Sequence, residues 1–375
     1  MKVRLSKPFL GNRKKLVERI EEILESGFLV QGRYVSQFEQ AVADYLGIKH
    51  GVAVSSGTAA IHLALVVLGI GPGDEVVVPA CTFPATANVV EIVGAKPIFV
   101  DVDLHTYNVD VEKIEEVISA RTKAIIPVHL FGNPAEMDTI QKIAKAHGLA
   151  VIEDAAGALG STYRGKKCGT FGTMGCFSFH PRKIITTGEG GMVVTDDDDL
   201  AEQVRSLRNH GIQTIRDQYD FTEAGLNYRM NELGAALGAN QMPEIQGIIC
   251  ERQQLAALYV DLLKDFPGIA FQQISAHSTT VWQAFVVRLA GRPAHPIVVS
   301  LQKAGIEANI GTYALPGAWF YREKYGYKTS DFLRAEKLFV EAIALPFYNS
   351  MAPKLVKQVS QSLKEVIFTS NLGVT

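Results

Sequence analysis

Two hydrophobic patterns alternate over the first two-thirds of the chain. One consists of short, continuous apolar runs, typical of strands buried on both faces; the runs cover residues 52–55, 75–79, 97–101, 124–128, 150–153, 175–179 and 191–195. The other consists of longer segments of helical spacing or length before and between the runs; these are 15–25, 35–46, 57–68, 82–93, 110–119 and 134–147. The alternation predicts βαβ units and a mostly parallel sheet of seven strands. A glycine-rich loop replaces a helix between the last two runs, which favours an antiparallel orientation for one of them.

The pattern changes after Pro243, and the change predicts two domains. Helical spacing and short apolar runs are mixed beyond this point; helices are expected over 246–264, 332–345 and 354–367, and the runs cover 281–289 and 297–299. We therefore expect a large α/β domain over residues 1–245 and a smaller α+β domain over residues 246–375. The N-terminal segment is expected to pack on the smaller domain.

Composition and charge exclude several classes of protein. Hydrophobic residues make up 47% of the chain and charged residues 20%, as in ordinary globular proteins. The net charge of −2 leaves no basic surplus for nucleic acid. We expect no membrane span, because no stretch approaches about 18 apolar residues, and no metal, because the histidines lack a ligand spacing such as HExxH. A charged N-terminus without an apolar core, together with four cysteines and no CxxC pair, favours a reduced, cytoplasmic protein.

Polar and aromatic residues follow four of the predicted strands, at the edge of the sheet where ligands of open α/β folds bind. In chain order these are Ser56-Gly57-Thr58, Phe83, Asp154 and Lys183. Each has an ordinary explanation when it is taken alone. The first segment is a good helix cap, Asp154 is a good turn residue, and most lysines are solvated surface groups.

Together these residues supply the four parts that pyridoxal phosphate (PLP) requires. A helix N-terminus at Gly57 binds a phosphate, and Phe83 offers an aromatic face. A carboxylate at the end of an apolar strand, here Asp154, needs a positive charge such as a protonated pyridine nitrogen. Lys183 can form a Schiff base with a carbonyl once it loses its proton, and Pro181 and the apolar pair that follows it constrain its loop.

In this order the segments resemble the sugar aminotransferases of the DegT–StrS family, which have the aspartate aminotransferase fold (fold type I). The resemblance extends from about residue 8 to about residue 350; besides Ser56-Gly57-Thr58-Ala59-Ala60 it includes Gly94-Ala95-Lys96-Pro97, Val128-His129-Leu130-Phe131-Gly132, Glu153-Asp154-Ala155-Ala156, Ser178-Phe179-His180-Pro181-Arg182-Lys183, Gly188-Glu189-Gly190-Gly191 and Asn227-Tyr228-Arg229.

The resemblance implies a role for each site residue. Lys183 would carry the Schiff base and shuttle the proton, and Asp154 would hold the pyridine nitrogen protonated. Gly57, Thr58 and Ser178 would bind the cofactor phosphate, and Phe83 would stack on the ring. Ser56 would also belong to the cofactor site. Asn227 would reach the phosphate in the neighbouring subunit, which makes a homodimer with shared active sites the functional unit. The substrate would contact three further residues, namely Arg229, His180 and Tyr313.

The implied reaction transfers an amino group from an amino acid, expected to be L-glutamate, to a nucleotide-linked keto-sugar. Three alternatives stay open: an acceptor that is an aminocyclitol precursor, a PLP-dependent sugar dehydratase, and a non-catalytic regulatory homologue. Dehydratases of this kind replace the lysine with histidine, so Lys183 argues against that reading. Two positions depart from the family pattern. Gly157 stands where a glutamine usually contacts the cofactor's ring oxygen, and Pro316 stands where many members have a histidine in the sugar site.

Overall fold

The structure is a computed structural model that describes residues 2–372. Its helices are α1 Arg13–Ser26, α2 Arg33–Leu46, α3 Gly57–Val67, α4 Ala85–Ile92, α5 Met137–His147, α6 Asp198–Leu207, α7 Glu232–Gln241, α8 Ile245–Leu263, α9 Ala294–Lys303, α10 Trp319–Tyr325, α11 Leu333–Glu341 and α12 Pro353–Leu372. Its strands are β1 His50–Val54, β2 Glu75–Pro79, β3 Lys96–Val100, β4 Thr122–Ile125, β5 Ala150–Asp154, β6 Thr162–Tyr163, β7 Lys166–Lys167, β8 Met174–Ser178, β9 Gly191–Thr195, β10 Ile212–Ile215, β11 Gln218–Phe221, β12 Ile269–Phe271, β13 Ser278–Thr279, β14 Phe285–Leu289, β15 Asn309–Ile310 and β16 Ala342–Leu345.

The first seven predicted strands form one sheet, in the order β1-β9-β8-β5-β4-β2-β3. Strands β8, β5, β4, β2 and β3 are parallel to one another, whereas β9 runs antiparallel to both β1 and β8. The predicted fold class and the antiparallel strand after the glycine-rich loop are therefore confirmed. Because the other strands share one direction, their carboxyl ends meet at a single edge of the sheet.

Helices cover both faces of this sheet, so its strands are apolar on both faces. Val52 and Val54 of β1 lie in the same buried cluster as residues of α3, α4 and α6. Ala53, between them, lies instead in the cluster that contains Phe38 of α2 and residues of α7. Successive side chains of a strand point to opposite faces, which explains this division.

A second sheet lies in the C-terminal part of the chain, in the antiparallel order β12-β14-β16-β15. Its core includes Tyr259 of α8 and Phe285 of β14, whose rings stack with centroids 4.6 Å apart. Val3 is buried in the same core and forms a bridge with Ile306. Since the seven-stranded sheet ends before α8 and the second sheet follows it, we propose residue 245 as the boundary between two domains.

Three sequence predictions of secondary structure are wrong. Residues 110–119 form two short 3₁₀ turns, Val111–Lys113 and Glu115–Val117, in place of an α-helix. The apolar run 297–299 lies inside helix α9. The predicted helix over 332–345 ends at Glu341, and the following residues form β16, which pairs with β14 and β15.

Two further features of the described residues concern membrane spans and disulfides. No helix within residues 2–372 combines the length and the apolar character that crossing a membrane requires. All four cysteines are unpaired; Cys81, Cys168 and Cys176 are buried and Cys250 is exposed.

Candidate active site

A cavity of about 590 Å³ lies at the carboxyl ends of β1, β2, β5 and β8. Its walls come from both sheets, because Asn309 of β15 and Ala344 of β16 line it together with residues that follow the parallel strands. Ten of the positions that the sequence singled out meet there; they are Ser56, Gly57, Thr58, Phe83, Asp154, Gly157, Ser178, His180, Lys183 and Tyr313. Residues more than 250 positions apart in the chain thus converge on one space.

The N-terminus of α3 forms one end of the cavity. The Oγ of Ser56 accepts a hydrogen bond of 3.1 Å from the amide of Ala59 and so caps the helix. The amides of Gly57 and Thr58 belong to the first turn, where no carbonyl of the helix can accept them. A Cβ atom on Gly57 would lie only 2.8 Å from the Cβ of Ser178, so only glycine allows the end of β8 to approach the helix this closely. The approach places the Ser178 hydroxyl beside a helix end that favours anions.

Asp154, the last residue of β5, brings a carboxylate to the floor of the cavity. Its side chain is buried, with 5% of the residue exposed. The hydroxyl of Thr86 donates to Oδ2 at 2.7 Å, and the amide of Ala156 donates to Oδ1 at 3.2 Å. Among the described residues no Lys, Arg or His nitrogen lies within 4.0 Å of this carboxylate. A buried carboxylate with only neutral donors is a strong binding position for a cationic group of a ligand.

The buried side chains of His129 and Glu153 hold the backbone at the carboxyl end of β5 in place. The amide of His129 donates to the backbone oxygen of Asp154 at 3.1 Å. The ring of His129 accepts the amide of Ala135 at Nδ1 and lies 2.9 Å from Glu153 Oε2 through Nε2. Glu153 in turn accepts amide hydrogen bonds from the loop that leads to β8, at Gly169, Phe171 and Gly172. These bonds fix the backbone on which Asp154 stands.

Lys183 brings the only lysine side chain among the described residues that line the cavity. Burial lowers the pKa of its ammonium group; the negative charge of Asp154 opposes this shift and the positive charge of Arg182 adds to it. Its Nζ has no ion pair among residues 2–372. A lysine in this setting is neutral at a lower pH than a solvated lysine, so it can act as a nucleophile and as a base.

The aromatic rings of Phe83 and Tyr313 line the cavity. Phe83 is 65% exposed, and its only ring neighbour among the described residues is Tyr313, edge-on with centroids 6.3 Å apart. The face of Phe83 is therefore available to a planar ligand. His180 also lines the cavity; burial lowers the pKa of its imidazole, and its Nδ1 accepts the amide of Arg182 at 3.2 Å.

Asn227 and Arg229 are the two predicted site residues that the structure does not bring into the cavity. Arg229 donates through Nε to Asn227 Oδ1 at 3.1 Å and through Nη1 to Asn209 Oδ1 at 2.9 Å. Asn227 is exposed. Arg229 is half-buried. Neither residue lines the cavity, and their roles stay predictions.

The sequence analysis missed two residues of the site, Thr86 and Gln283. Thr86 lies three residues after Phe83, about one helical turn, and shortly after the predicted strand 75–79. This position was the only signal that the sequence offered for it. Gln283 has no local signal, because it comes from the segment before β14 of the second sheet. No group of three or more His, Cys, Asp or Glu side chains suited to a metal ion is found in residues 2–372.

The sequence and the fold of this chain are both similar to known aminotransferases. Residues 11–364 match the model of the DegT/DnrJ/EryC1/StrS aminotransferase family. The chain is 40% identical to GDP-perosamine synthase of Caulobacter vibrioides over 341 residues, which is 90% of this chain and 91% of that protein. Among solved structures, S. venezuelae DesV superposes with a TM-score of 0.89 at 34% identity and covers 94% of each chain. The putative sugar aminotransferase Spr1654 from Streptococcus pneumoniae, in its PLP form, superposes with a TM-score of 0.92 at 27% identity, over 98% of this chain and 99% of that one.

Proposed function

The chain belongs to the DegT/DnrJ/EryC1/StrS aminotransferase family and is a PLP-dependent sugar aminotransferase; from this premise we propose that it moves the amino group of L-glutamate to a nucleotide-linked keto-sugar. One observation carries the proposal. A buried carboxylate without a cation, a lysine with a lowered pKa and an anion-binding helix end line the same cavity as an exposed aromatic face.

The residues present fit PLP. The phosphate would bind at the N-terminus of α3, to Ser56, Gly57 and Thr58, and to the hydroxyl of Ser178. The pyridine nitrogen would be held at Asp154, whose buried carboxylate then meets a positive charge. Phe83 would cover one face of the ring. The close approach of Gly57 to Ser178, where a Cβ has no room, supports the phosphate position most directly.

When bound, PLP supplies an electron sink that stabilises negative charge on the amino-acid Cα. Asp154 would support this function by keeping a proton on the ring nitrogen. Lys183 would hold the cofactor through the cofactor's aldehyde carbon. The neutral Nζ of Lys183, released when a substrate amine takes its place, would move the proton from Cα to the cofactor side and would reverse this transfer with the second substrate.

The acceptor is proposed from cavity size and from the relatives. A volume of about 590 Å³ accommodates PLP together with a sugar ring, and the exposed rings of Phe83 and Tyr313 border it. GDP-perosamine synthase is named for a nucleotide-linked amino-sugar, and that relative is similar over nine-tenths of the chain. We further propose a cytoplasmic location, which the four unpaired cysteines support.

Amination of a panel of sugars tests the acceptor. With glutamate as donor, we expect the protein to form an amino-sugar from at least one nucleotide-linked 3-keto or 4-keto sugar. The matched controls are the same keto-sugars without the nucleotide and a keto-cyclitol, measured by mass spectrometry of the product. Amination of the keto-cyclitol alone would replace the sugar acceptor by an aminocyclitol precursor.

An exposed apolar surface supports a homodimer with shared active sites. Tyr219 is 85% exposed on the β10–β11 hairpin. Further large apolar side chains are exposed in two segments of the chain; they are Phe28, Leu29 and Val30 in the first, and Phe221, Leu226 and Leu233 in the second. Val30 forms a bridge with Asn231, which brings segment 28–30 next to segment 226–233. An apolar surface of this kind marks an interface in a soluble protein. We propose that a second copy covers it and that Asn227, at its border, completes the partner subunit's cavity.

Mixed dimers test this role of Asn227. A dimer of one Lys183→Ala subunit and one Asn227→Ala subunit should contain one complete site, because Asn227 of the first subunit serves the lysine of the second. We expect each homodimeric variant to be impaired and the mixed dimer to recover about half of wild-type activity. A mixed dimer of Lys183→Ala and Lys183→Met is the control that contains no complete site. If the first mixture recovers nothing beyond its homodimers, Asn227 does not act across the interface.

A further inference from the structure

The cavity floor beside Asp154 has a glycine, Gly157, whose backbone does not require one. No left-handed φ angle is found at this position, so other residues could adopt its conformation. What occupies the space is a side chain of the second domain. A Cβ atom on Gly157 would lie 3.4 Å from both Cγ and Oε1 of Gln283. Gln283 thus fills the volume that a longer side chain at position 157 would use.

The backbone around Gln283 is held by an unusual set of bonds. Trp282 has a φ of 50°, a left-handed conformation that is uncommon for a bulky residue. The buried guanidinium of Arg252 donates to the carbonyl of Trp282 at 2.9 Å and to that of Gln283 at 2.7 Å. No carboxylate lies within 4.0 Å of Arg252 among residues 2–372, and burial lowers its pKa to about 10. A costly buried cation therefore fixes the position of Gln283.

The orientation of the Gln283 amide follows from its one hydrogen bond. Its Nε2 donates to the carbonyl of Arg182 at 2.8 Å, so the nitrogen lies at the lysine side of the cavity. An amide nitrogen carries two hydrogens. Only this one hydrogen bond of the Gln283 side chain is found among residues 2–372, so the second N–H is available to an acceptor in the cavity.

We propose that Gln283 donates this hydrogen bond to the ring oxygen of PLP, and thereby takes the place of the glutamine that the family resemblance expects at position 157. The inference rests on the proposed cofactor position, with the ring nitrogen at Asp154 and the aldehyde carbon at Lys183. The ring oxygen is attached next to that aldehyde carbon and is negatively charged when ionised. A charged oxygen removed from water needs a donor, and the Gln283 side chain lies beside Gly157 and bonds to the carbonyl of Arg182, the residue next to Lys183.

Replacement of Gln283 should shift the pH dependence of the cofactor's absorbance in one definite direction. A hydrogen bond to the ring oxygen withdraws electron density from it and weakens its hold on the proton that it shares with the lysine-linked nitrogen. When Gln283 is replaced, the visible absorbance band of the protonated cofactor should therefore disappear at a higher pH. PLP should also bind about tenfold more weakly, as expected for the loss of one hydrogen bond to a charged group.

The experiment compares Gln283→Met, which keeps size and removes the amide, with Gln302→Met, whose amide bonds to the Ala308 carbonyl away from the cavity. Apo protein is titrated with PLP, and the absorbance of the loaded protein is titrated with pH; circular dichroism reports folding. We expect Gln283→Met alone to raise the absorbance midpoint and weaken PLP binding. In a Gln283→Ala background, Gly157→Gln should restore both values, because the new amide enters the vacated volume.

The outcomes separate this inference from the proposed function. If the wild-type protein gives no visible band with PLP, the cofactor position itself is wrong. If the wild-type band forms and Gln283→Met leaves its pH midpoint and the PLP affinity unchanged, only the role of Gln283 is refuted. Should Gln283→Met unfold, the double variant with glutamine at position 157 decides the point, since its midpoint must then match the wild type.

Discussion

Lys183→Ala should reduce turnover by roughly 10³-fold or more, because the substitution removes both the covalent link to PLP and the base that moves the Cα proton. The cofactor phosphate site and Phe83 are untouched, so the variant should still bind PLP, without the link. The measurement is the initial rate of amino-sugar formation, together with mass spectrometry of the protein after borohydride reduction. Wild type should gain the mass of the reduced cofactor on the peptide that contains Lys183, and the variant should not.

Lys167 provides a matched control for this substitution. Burial also lowers the pKa of Lys167, whose ammonium lies 3.8 Å from the ring centroid of Tyr45, but Lys167 does not line the cavity. Lys167→Ala should therefore keep turnover within a few-fold of wild type. Equal losses of turnover in the two variants would show that replacing any buried lysine impairs the enzyme. Retained turnover in Lys183→Ala would refute the catalytic role of Lys183.

The second large effect is expected for Asp154→Asn. The amide keeps the shape of the side chain and cannot neutralise a protonated pyridine nitrogen, so the ring loses its proton and much of its capacity to accept electrons. We expect turnover to fall by roughly 10²-fold or more, a loss typical of a removed electrostatic partner of the transition state. The rate of the first half-reaction with glutamate measures the loss without contributions from sugar binding.

Asp101 is the control for Asp154. Asp101 is also buried at a strand end, next to β3, and its carboxylate accepts the amides of Ala335 and Arg334 outside the cavity. Asp101→Asn should lower the melting temperature and leave the half-reaction rate nearly unchanged. Asp154→Asn should slow the half-reaction and leave the melting temperature nearly unchanged. A half-reaction rate near wild type in Asp154→Asn would show that this carboxylate does not act on the ring nitrogen.

The sheet could be predicted from the sequence because its strands are buried on both faces. Each strand therefore appears as a short apolar run that a local pattern detects, and the glycines from 188 to 191 mark the place where β9 reverses direction. The four site segments were also predictable, since parallel strands bring their carboxyl ends to one edge. Convergence on one cavity follows from topology, which the alternation of runs and helices already implies.

The errors occur where non-local contacts or tighter geometry decide the structure. Val111, Ile114 and Val117 repeat every three residues, a spacing that fits eclipsed 3₁₀ turns as well as an α-helix. The end of α11 at Glu341 depends on the pairing of β16 with β14 and β15, strands that lie more than 30 residues away. No local pattern contains that information.

Two hairpins were missed because an arginine takes a left-handed conformation in each of their turns. The turn between β10 and β11 has Arg216 at φ 52° and Asp217 at φ 64°, where asparagine and glycine are the usual signal. In the turn between β6 and β7, Arg164 has a φ of 47° and precedes Gly165. The same limitation explains Gln283. The sequence shows the missing glutamine at position 157 but not its replacement, which comes from a residue 126 positions later.

The absorbance of the purified, PLP-loaded protein through one catalytic cycle tests the central claim most directly. L-glutamate should abolish the visible band of the lysine-linked cofactor and release one 2-oxoglutarate per active site. A nucleotide-linked keto-sugar added afterwards should restore the band and yield an equal amount of amino-sugar. A visible band that glutamate and the other amino acids leave unchanged would contradict the assignment of this cavity to amino transfer.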